Sequence, residues 1–388
     1  MIAASEIELR AGSDLLLTAP MLRVDKGDRI GLVGRNGAGK TTLTRVLAGE
    51  SAPASGNVKM TGTVGYLPQD PRTADPTQLA SSRILSARGL DEVSIRMSKA
   101  AEALATPGIT SEDFEKAGDR YNRALGEFEG LGGYTAESEA ATIAASIGLD
   151  ERILIQPLGT LSGGQRRRVE LTRILFSDAD VLLLDEPTNH LDADSIRWLR
   201  KYLAAYEGGF IVISHDTELL EETVNKVWHL DANRQEIDLY SMGWSKYLLA
   251  RETDEKRRKR ERKNAETTAD TLRKQAERMR AKASKAKAAQ SMFKRADRIM
   301  SETATVLQKD NVAKLRFPTP KACGRVPLMA ENLSRSYGSL EVFTDVNLAI
   351  DRGSKVVILG LNGAGKTTML RILAGIDPPD TGARELGH

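Results

Sequence analysis

The chain has 388 residues, of which 40% are hydrophobic, 28% charged and 5% aromatic, with a single cysteine, Cys323. That composition predicts folded domains with aliphatic cores, and it excludes a disordered chain, an internal disulfide framework and a cysteine-held iron–sulfur cluster. The net charge of +3 hides an asymmetry: residues 251–300 carry 18 Lys or Arg against 8 Asp or Glu, so the rest of the chain is mildly acidic and the basic stretch points to a polyanionic partner.

No run reaches the ~18 apolar residues of a membrane helix. Residues 1–10 lack a basic start followed by a long apolar run, so a cytoplasmic chain without a membrane segment of its own is expected. In chain order, residues 29–33 form a short aliphatic run of the kind buried parallel strands show. The pattern G-x-x-x-x-G-K-T follows from Gly34 to Thr41 and predicts a phosphate-binding turn opening a helix. Its glycines let backbone N–H groups curl around phosphate oxygens. Lys40 reaches the terminal phosphates, Thr41 offers a hydroxyl to Mg²⁺, and the helix points its positive end at the anion.

Residues 84–105 are Ala-rich and helix-favouring, and Pro107-Gly108 breaks them. Phe114, Tyr121, Leu125 and Phe128 then recur at helical spacing, so a helical hairpin is expected. The run Leu161-Ser162-Gly163-Gly164-Gln165 precedes a helix over 166–176, which Ser162 can cap, and its glycines again permit close approach to phosphate. An apolar strand over 181–184 ends in Asp185 and Glu186, the first suited to a Mg²⁺ shell and the second to polarising water. Another apolar strand, over 210–214, ends at His215.

Residues 245–315 are rich in Ala, Lys, Arg, Glu and Gln, with no proline from Ser245 until Pro318. Long helices are expected there, turning back on each other within 280–287. Leu272 and Met279 stand seven apart, but neighbouring heptad positions are Ala, Lys or Gln, a weak coiled-coil pattern. The strand–turn–helix pattern of 27–50 then returns at 353–376, about 326 residues on, with an apolar run over 355–359 and the loop Gly360 to Thr367. The phosphate-binding loops are thus Gly34, Arg35, Asn36, Gly37, Ala38, Gly39, Lys40, Thr41 and Thr42 in the first copy. In the second they are Gly360, Leu361, Asn362, Gly363, Ala364, Gly365, Lys366, Thr367 and Thr368, with Thr367 as the Mg²⁺ hydroxyl.

This ordered set resembles the ABC ATPases, whose signature is LSGGQ. The resemblance implies that Ser162, Gly163, Gly164 and Gln165 bind the γ-phosphate of an ATP held on an opposite cassette. It implies that Gln69 senses Mg²⁺ and water, that Leu191 and Asp192 form the D-loop, and that His215 contacts the γ-phosphate. The family usually sets an aromatic under adenine; Tyr337 fits in the second copy, whereas residues 11–17 contain none.

About 90 residues separate Gln69 from the signature, and a charged linker lies between the copies. Together with Asp185-Glu-Pro-Thr-Asn-His-Leu-Asp192, these features resemble the ABC-F family. The resemblance implies an α/β P-loop NTPase: an ABC cassette over 1–244 with an inserted helical arm at about 83–135, a basic helical linker over 245–320, and part of a second cassette over 321–388. It implies an ATPase using ATP and Mg²⁺ on the ribosome. The linker would reach between tRNA and the peptidyl-transferase region, with its basic side chains on rRNA and tRNA phosphates, and the arm would touch the exit-site side. Some members regulate translation and others protect against ribosome-targeting antibiotics; the linker has no long insertion at its turn, which favours a housekeeping factor. The alternatives are the ATP-binding subunit of an ABC transporter, which needs a separate membrane protein, and a DNA-repair or chromosome ATPase with a coiled coil.

The sequence ends at His388, soon after the second loop's helix, with no second signature, acidic strand end or switch histidine. A fragment or truncated product is therefore expected, with residues 328–388 poorly stable. Two chains pairing through their first cassettes would each lend Ser162 to the other's Lys40 site.

Overall fold

In the computed structural model the described residues are 1–69, 75–107, 110–280, 286–302, 324–338, 340–360 and 363–387. Leu361, Asn362 and most of the turn expected within 280–287 lie outside them. Contacts divide the chain into two compact units, Met1–His190 with Asp194–Lys309, and Leu191–Ala193 with Asp310–His388.

The first unit begins with β1 (Ile2–Ala11), β2 (Asp14–Val24), β3 (Arg29–Gly34), α1 (Lys40–Leu47), β4 (Ser55–Met60) and β5 (Val64–Leu67). The helices α2 (Ala80–Leu85), α3 (Leu90–Leu104), α4 (Ser111–Gly130), α5 (Gly133–Ser146), α6 (Glu151–Leu154) and α7 (Gly163–Phe176) follow. Next come β6 (Val181–Asp185), α8 (Ala193–Ala205), β7 (Gly209–Ile213), α9 (Thr217–Thr223), β8 (Lys226–Asp231) and β9 (Glu236–Tyr240). Two long helices, α10 (Trp244–Arg280) and α11 (Ala286–Glu302), complete the series.

One nine-stranded sheet, in the order β4-β1-β2-β9-β8-β3-β7-β6-β5, joins these strands. β8, β3, β7, β6 and β5 run parallel. Every residue of β6 and β7 is buried, which is why both read as unbroken aliphatic runs. The core packs α1 between the parallel strands and the antiparallel β1–β2 layer, through Leu43, Val46 and Leu47 against Ile30, Leu32, Leu22 and Val24.

The expected hairpin over 84–128 is present with two corrections. A continuous helix from 84 to 105 does not form, because Gly89 takes a left-handed φ of 70° that ends the first helical stretch and starts α3. The buried face of α4 is Ala117, Ala124 and Phe128, while Phe114 is exposed. Small side chains at that face let α3 and α4 lie close, with Arg96 bridging to Glu127 at 2.8 Å.

The basic region forms the helix pair α10–α11. Ala269 and Ala276 on one helix and Ala289 and Ala296 on the other are buried, each pair seven residues apart, and Arg273 reaches Asp297 at 2.8 Å. The heptad pattern is therefore real, but alanine fills it, giving close helix approach rather than a leucine seam.

The second unit contains β10 (Leu328–Tyr337), β11 (Leu340–Ile350), α12 (Lys366–Leu373) and β12 (Thr381–Leu386). Its sheet order, β11-β10-β12, repeats β2-β1-β4, and its elements stand 326 residues on, from Ile2 to Leu328. Ala330, Leu333, Ile372 and Leu373 form its core. The strand expected over 355–359 is absent. In the first unit β3 is flanked by β7 and β8; among the described residues of the second, no parallel partner flanks this run. Val357 and Leu359 are consequently 76% and 86% exposed.

Leucine at Ala276 or Ala289 should force the long helices apart and cost about 1–3 kcal/mol in chemical denaturation. The same change at the exposed Ala288 should stay within about 0.5 kcal/mol. Equal effects at buried and exposed positions would refute the alanine seam.

Candidate active site

The first loop leaves the carboxyl end of β3. Gly34 is required by close approach: a Cβ there would lie 2.8 Å from the Leu230 carbonyl oxygen of β8. Gly39 is required by conformation, since it caps α1 at a φ of 94°. Between them the chain curls so that the Lys40 ammonium donates to the Gly34 and Arg35 carbonyls at 2.8 and 3.0 Å. Burial lowers the Lys40 pKa, while Glu186 and Asp185 oppose the shift.

Asp185 ends β6 and Glu186 follows it. The Thr41 hydroxyl donates to Asp185 Oδ2 at 2.6 Å, joining loop and acidic strand end. Burial raises both carboxyl pKa values; Thr41 opposes this at Asp185 and His215 opposes it at Glu186. Glu186 holds a left-handed φ of 51°, and its N–H donates to Ile213 of β7 at 2.9 Å. A non-glycine residue in that region is strained, and the strain turns the carboxylate into the cavity. His215, just past β7, sets Nε2 3.4 Å from Glu186 Oε1, with its side chain 75% exposed.

These groups line one cavity of about 580 Å³, together with Ala11, Leu16, Asn36, Gly37, Gly39, Thr42, Gln69, Thr188, Asn189 and Ile213. The predicted residues Lys40, Thr41, Gln69, Asp185, Glu186 and His215 thus converge, at the carboxyl ends of β3, β6 and β7, where open parallel sheets bind ligands. Thr188 and Asn189 were not singled out from the sequence, although they sit in its Asp185-Glu-Pro-Thr-Asn run. Thr41, Asp185 and Gln69 supply hard oxygen donors, a set that suits Mg²⁺ shared with phosphate oxygens.

The signature residues stand apart from that cavity's lining. Ser162 caps α7: its hydroxyl accepts from Gln165 N at 3.2 Å, and Gln165 Oε1 accepts from Ser162 N at 2.8 Å. In the second unit the Lys366 ammonium donates to the Gly360 carbonyl at 2.8 Å, as Lys40 does to Gly34. Gly363, Ala364, Thr367 and Thr368 flank that lysine, and Tyr337 ends β10 with Arg335 5.0 Å from its ring centre.

Sequence reasoning missed Arg167, one turn into α7. Its buried guanidinium donates to the carbonyls of Pro68 and Gln69 at 2.6 Å each, and of Asp185 and Glu186 at 2.5 and 3.1 Å. One fork thus ties the Gln69 segment to the acidic strand end. Its only sequence signal is an arginine two places past LSGGQ, indistinguishable there from its neighbours. Arg167→Ala leaves four carbonyls short of a donor and should cost about 3 kcal/mol or more in denaturation. Arg167→Lys keeps the charge without the fork; it should lower kcat for ATP at least about tenfold while KM moves less. A lysine variant with unchanged kcat would remove Arg167 from the site's machinery.

Among the described residues no helix is long and apolar enough to cross a membrane. The ABC transporter family model matches residues 17–189 and 343–387, and a second model, also described as ABC transporter, matches 230–317. Probable ATP-binding protein YheS of Haemophilus influenzae is 31% identical over 97% of this chain and 57% of its own length. Probable ATP-binding protein YbiT of Escherichia coli O157:H7 is 31% identical over 98% of this chain and 71% of its own. Energy-dependent translational throttle protein EttA of Escherichia coli K12 is 32% identical over 93% of this chain and 64% of its own. The chain thus spans less than two thirds of the length of YheS. With the twin loops and the convergent cavity, these matches show that the chain belongs to the ABC transporter ATPases and, within them, to the ABC-F family.

Proposed function

We propose that this chain hydrolyses ATP in the Lys40 cavity and spends the cycle on the ribosome. Cassettes of this family bind ATP and hydrolyse it. What carries the reading for this chain is the convergence of Lys40, Thr41, Asp185, Glu186 and His215 on one cavity. The Gly34–Thr42 backbone and Lys40 hold the β- and γ-phosphates. Thr41, Asp185 and Gln69 would hold Mg²⁺, which when bound would neutralise phosphate charge. Glu186 accepts a hydrogen bond from a water aligned with the γ-phosphorus, and His215 holds the γ-phosphate oxygens. Water oxygen bonds to phosphorus as the bridging bond to the β-phosphate breaks, leaving ADP and phosphate. Arg167 acts through the backbone, fixing Gln69 and Glu186 relative to each other.

Two basic surfaces support a ribosomal target. α10 exposes Lys256, Arg257, Lys259, Arg260, Lys263 and Arg278. The arm carries a groove of about 310 Å³, floored by Ala100, Ala103, Ala117 and Ala124 and rimmed by Arg96, Lys99, Arg120 and Arg123. Both suit RNA phosphates, and the relative named as a translational throttle points the same way. Such a target places the chain in the cytoplasm.

Glu186→Gln should bind ATP, hydrolyse it slowly and co-sediment with ribosomes when ATP is present, and binding should fall steeply between 50 and 200 mM salt. Lys40→Ala should lose the ATP dependence. Co-sedimentation with membranes or DNA instead of ribosomes would reject the reading.

The Ser162 loop does not line the Lys40 cavity, so closing it takes a signature from another cassette. A second copy of this chain can present its own Ser162. ATPase activity per mole should then rise with protein concentration; a flat response across dilution rejects the pairing.

A further inference from the structure

The two copies differ at the tip of the hairpin that borders each loop. Each opens with a β-hairpin whose tip is a residue followed by a left-handed glycine: Ala11 and Gly12 (φ 62°) in the first, Tyr337 and Gly338 (φ 60°) in the second. The 326-residue offset that superposes every paired element puts Ala11 at the place of Tyr337 and Leu16 at the place of Val342. In both copies the aliphatic residue packs on the loop's last glycine. Leu16 stands 3.4 Å from where a Gly39 Cβ would be, and Val342 crowds the same point at Gly365. The scaffold is therefore shared, and the aromatic is not.

The lining of the first cavity completes the contrast. Its polar side chains come from the 36–42 loop, Gln69, the 185–189 run and His215, none of them on the hairpin. The hairpin contributes only Ala11 and Leu16. The nearby Arg10 is turned to its own hairpin, on Glu8 at 2.5 Å and the Ser13 carbonyl at 3.4 Å. Among the described residues, the hairpin side of the lining offers no polar group to an exocyclic amine or carbonyl, and the lining has no Phe, Tyr or Trp ring to stack.

We infer that the Lys40 site selects a magnesium triphosphate and not a base: it accepts ATP, GTP and CTP alike, through an aliphatic shelf of Ala11 and Leu16. The inference rests on nucleotide binding at Lys40. Base discrimination in proteins comes from hydrogen bonds that a wrong base leaves unmade, whereas an aliphatic contact tolerates any flat ring. Affinity in this site then resides in the phosphates.

Equilibrium binding to the full chain carrying Lys366→Ala, which silences the second loop, tests this with ATP, GTP, CTP and inorganic tripolyphosphate, each with Mg²⁺. The three nucleotides should bind within about threefold of one another, a spread below 1 kcal/mol. Ala11→Tyr should tighten ATP about tenfold, the size of one base–aromatic stack, and leave tripolyphosphate unchanged. Leu16→Ala should weaken all three nucleotides by a similar factor and spare tripolyphosphate. ATP bound tenfold or more above GTP and CTP would overturn the inference while leaving the ATPase reading intact. A tyrosine variant that tightens tripolyphosphate equally, or fails to tighten ATP, would also overturn it. If neither tripolyphosphate nor any nucleotide binds, the Lys40 site itself fails, and the inference with it.

Discussion

β3 is hydrogen-bonded along both sides, to β8 from Ile30 to Gly34 and to β7 from Arg29 to Gly31. A parallel strand satisfies its N–H and C=O groups only through such neighbours, because it has no hairpin partner of its own. Both neighbours come from far along the chain, β7 at Gly209–Ile213 and β8 at Lys226–Asp231, so the nucleotide loop is positioned by late-arriving strands of its sheet. The same aliphatic pattern over 355–359, without flanking parallel strands, stays non-strand and solvent-exposed. The Lys366 ammonium still reaches the Gly360 carbonyl and Gly365 still caps α12, features that depend on local sequence rather than on the sheet. Strand pairing and loop formation are thus separable: the loop is local, and its aim is not.

The acidic half of the site obeys a second constraint. Asp185 and Glu186 are partly desolvated at the cavity, and desolvation drives both toward the protonated form. Burying Arg167 beside them is expensive, several kcal/mol for an isolated guanidinium. Four carbonyl acceptors, each worth about 1.5–3 kcal/mol to a charged donor, offset that cost. The positive charge also opposes the upward shift at Asp185. A lysine could supply the charge but not the span from Pro68 to Glu186.

What could be read from the sequence follows from whether the determinant is local. The Gly34–Thr41 turn, the Ser162 cap and the aliphatic strands ending at Asp185 and His215 are local, and the structure places them as their neighbours dictate. Arg167 was invisible because its function lies in reaching two segments far away in sequence, Pro68–Gln69 and Asp185–Glu186. The arm's packing face was only partly legible: Phe128 of the helical-spaced series is buried, but Ala117 and Ala124 let the helices touch and leave Phe114 outside. The long helix pair forms as expected, but its seam was not legible, because a heptad of alanine carries no hydrophobic peak. The missing strand at 355–359 is the opposite error, a strand-like local pattern with no parallel partner among the described residues of its unit.

The link from nucleotide loop to linker is short and stiff. Gly34 pairs with Leu230, and the next residue of β8, Asp231, accepts from Arg234 at 2.8 Å. Arg258, four turns into α10, reaches Asp238 at 3.2 Å and Asp231 at 4.0 Å. Tyr247, fully buried, packs edge-on against Tyr240 at 5.1 Å, and the Tyr240 hydroxyl donates to Asp254 at 3.2 Å. Beneath them burial pushes the His229 pKa down to about 4, so the imidazole is neutral at physiological pH and adds no charge to the cluster. The first turns of α10 are therefore built as part of the cassette, and a flexible joint between them would need breaking aromatic packing and several half-buried ion pairs at once. A shift of the Gly34 loop relative to β8 must either break the pairing at Leu230 or carry the base of α10 with it, and a strand bonded on both sides resists the first far more than a surface helix resists the second.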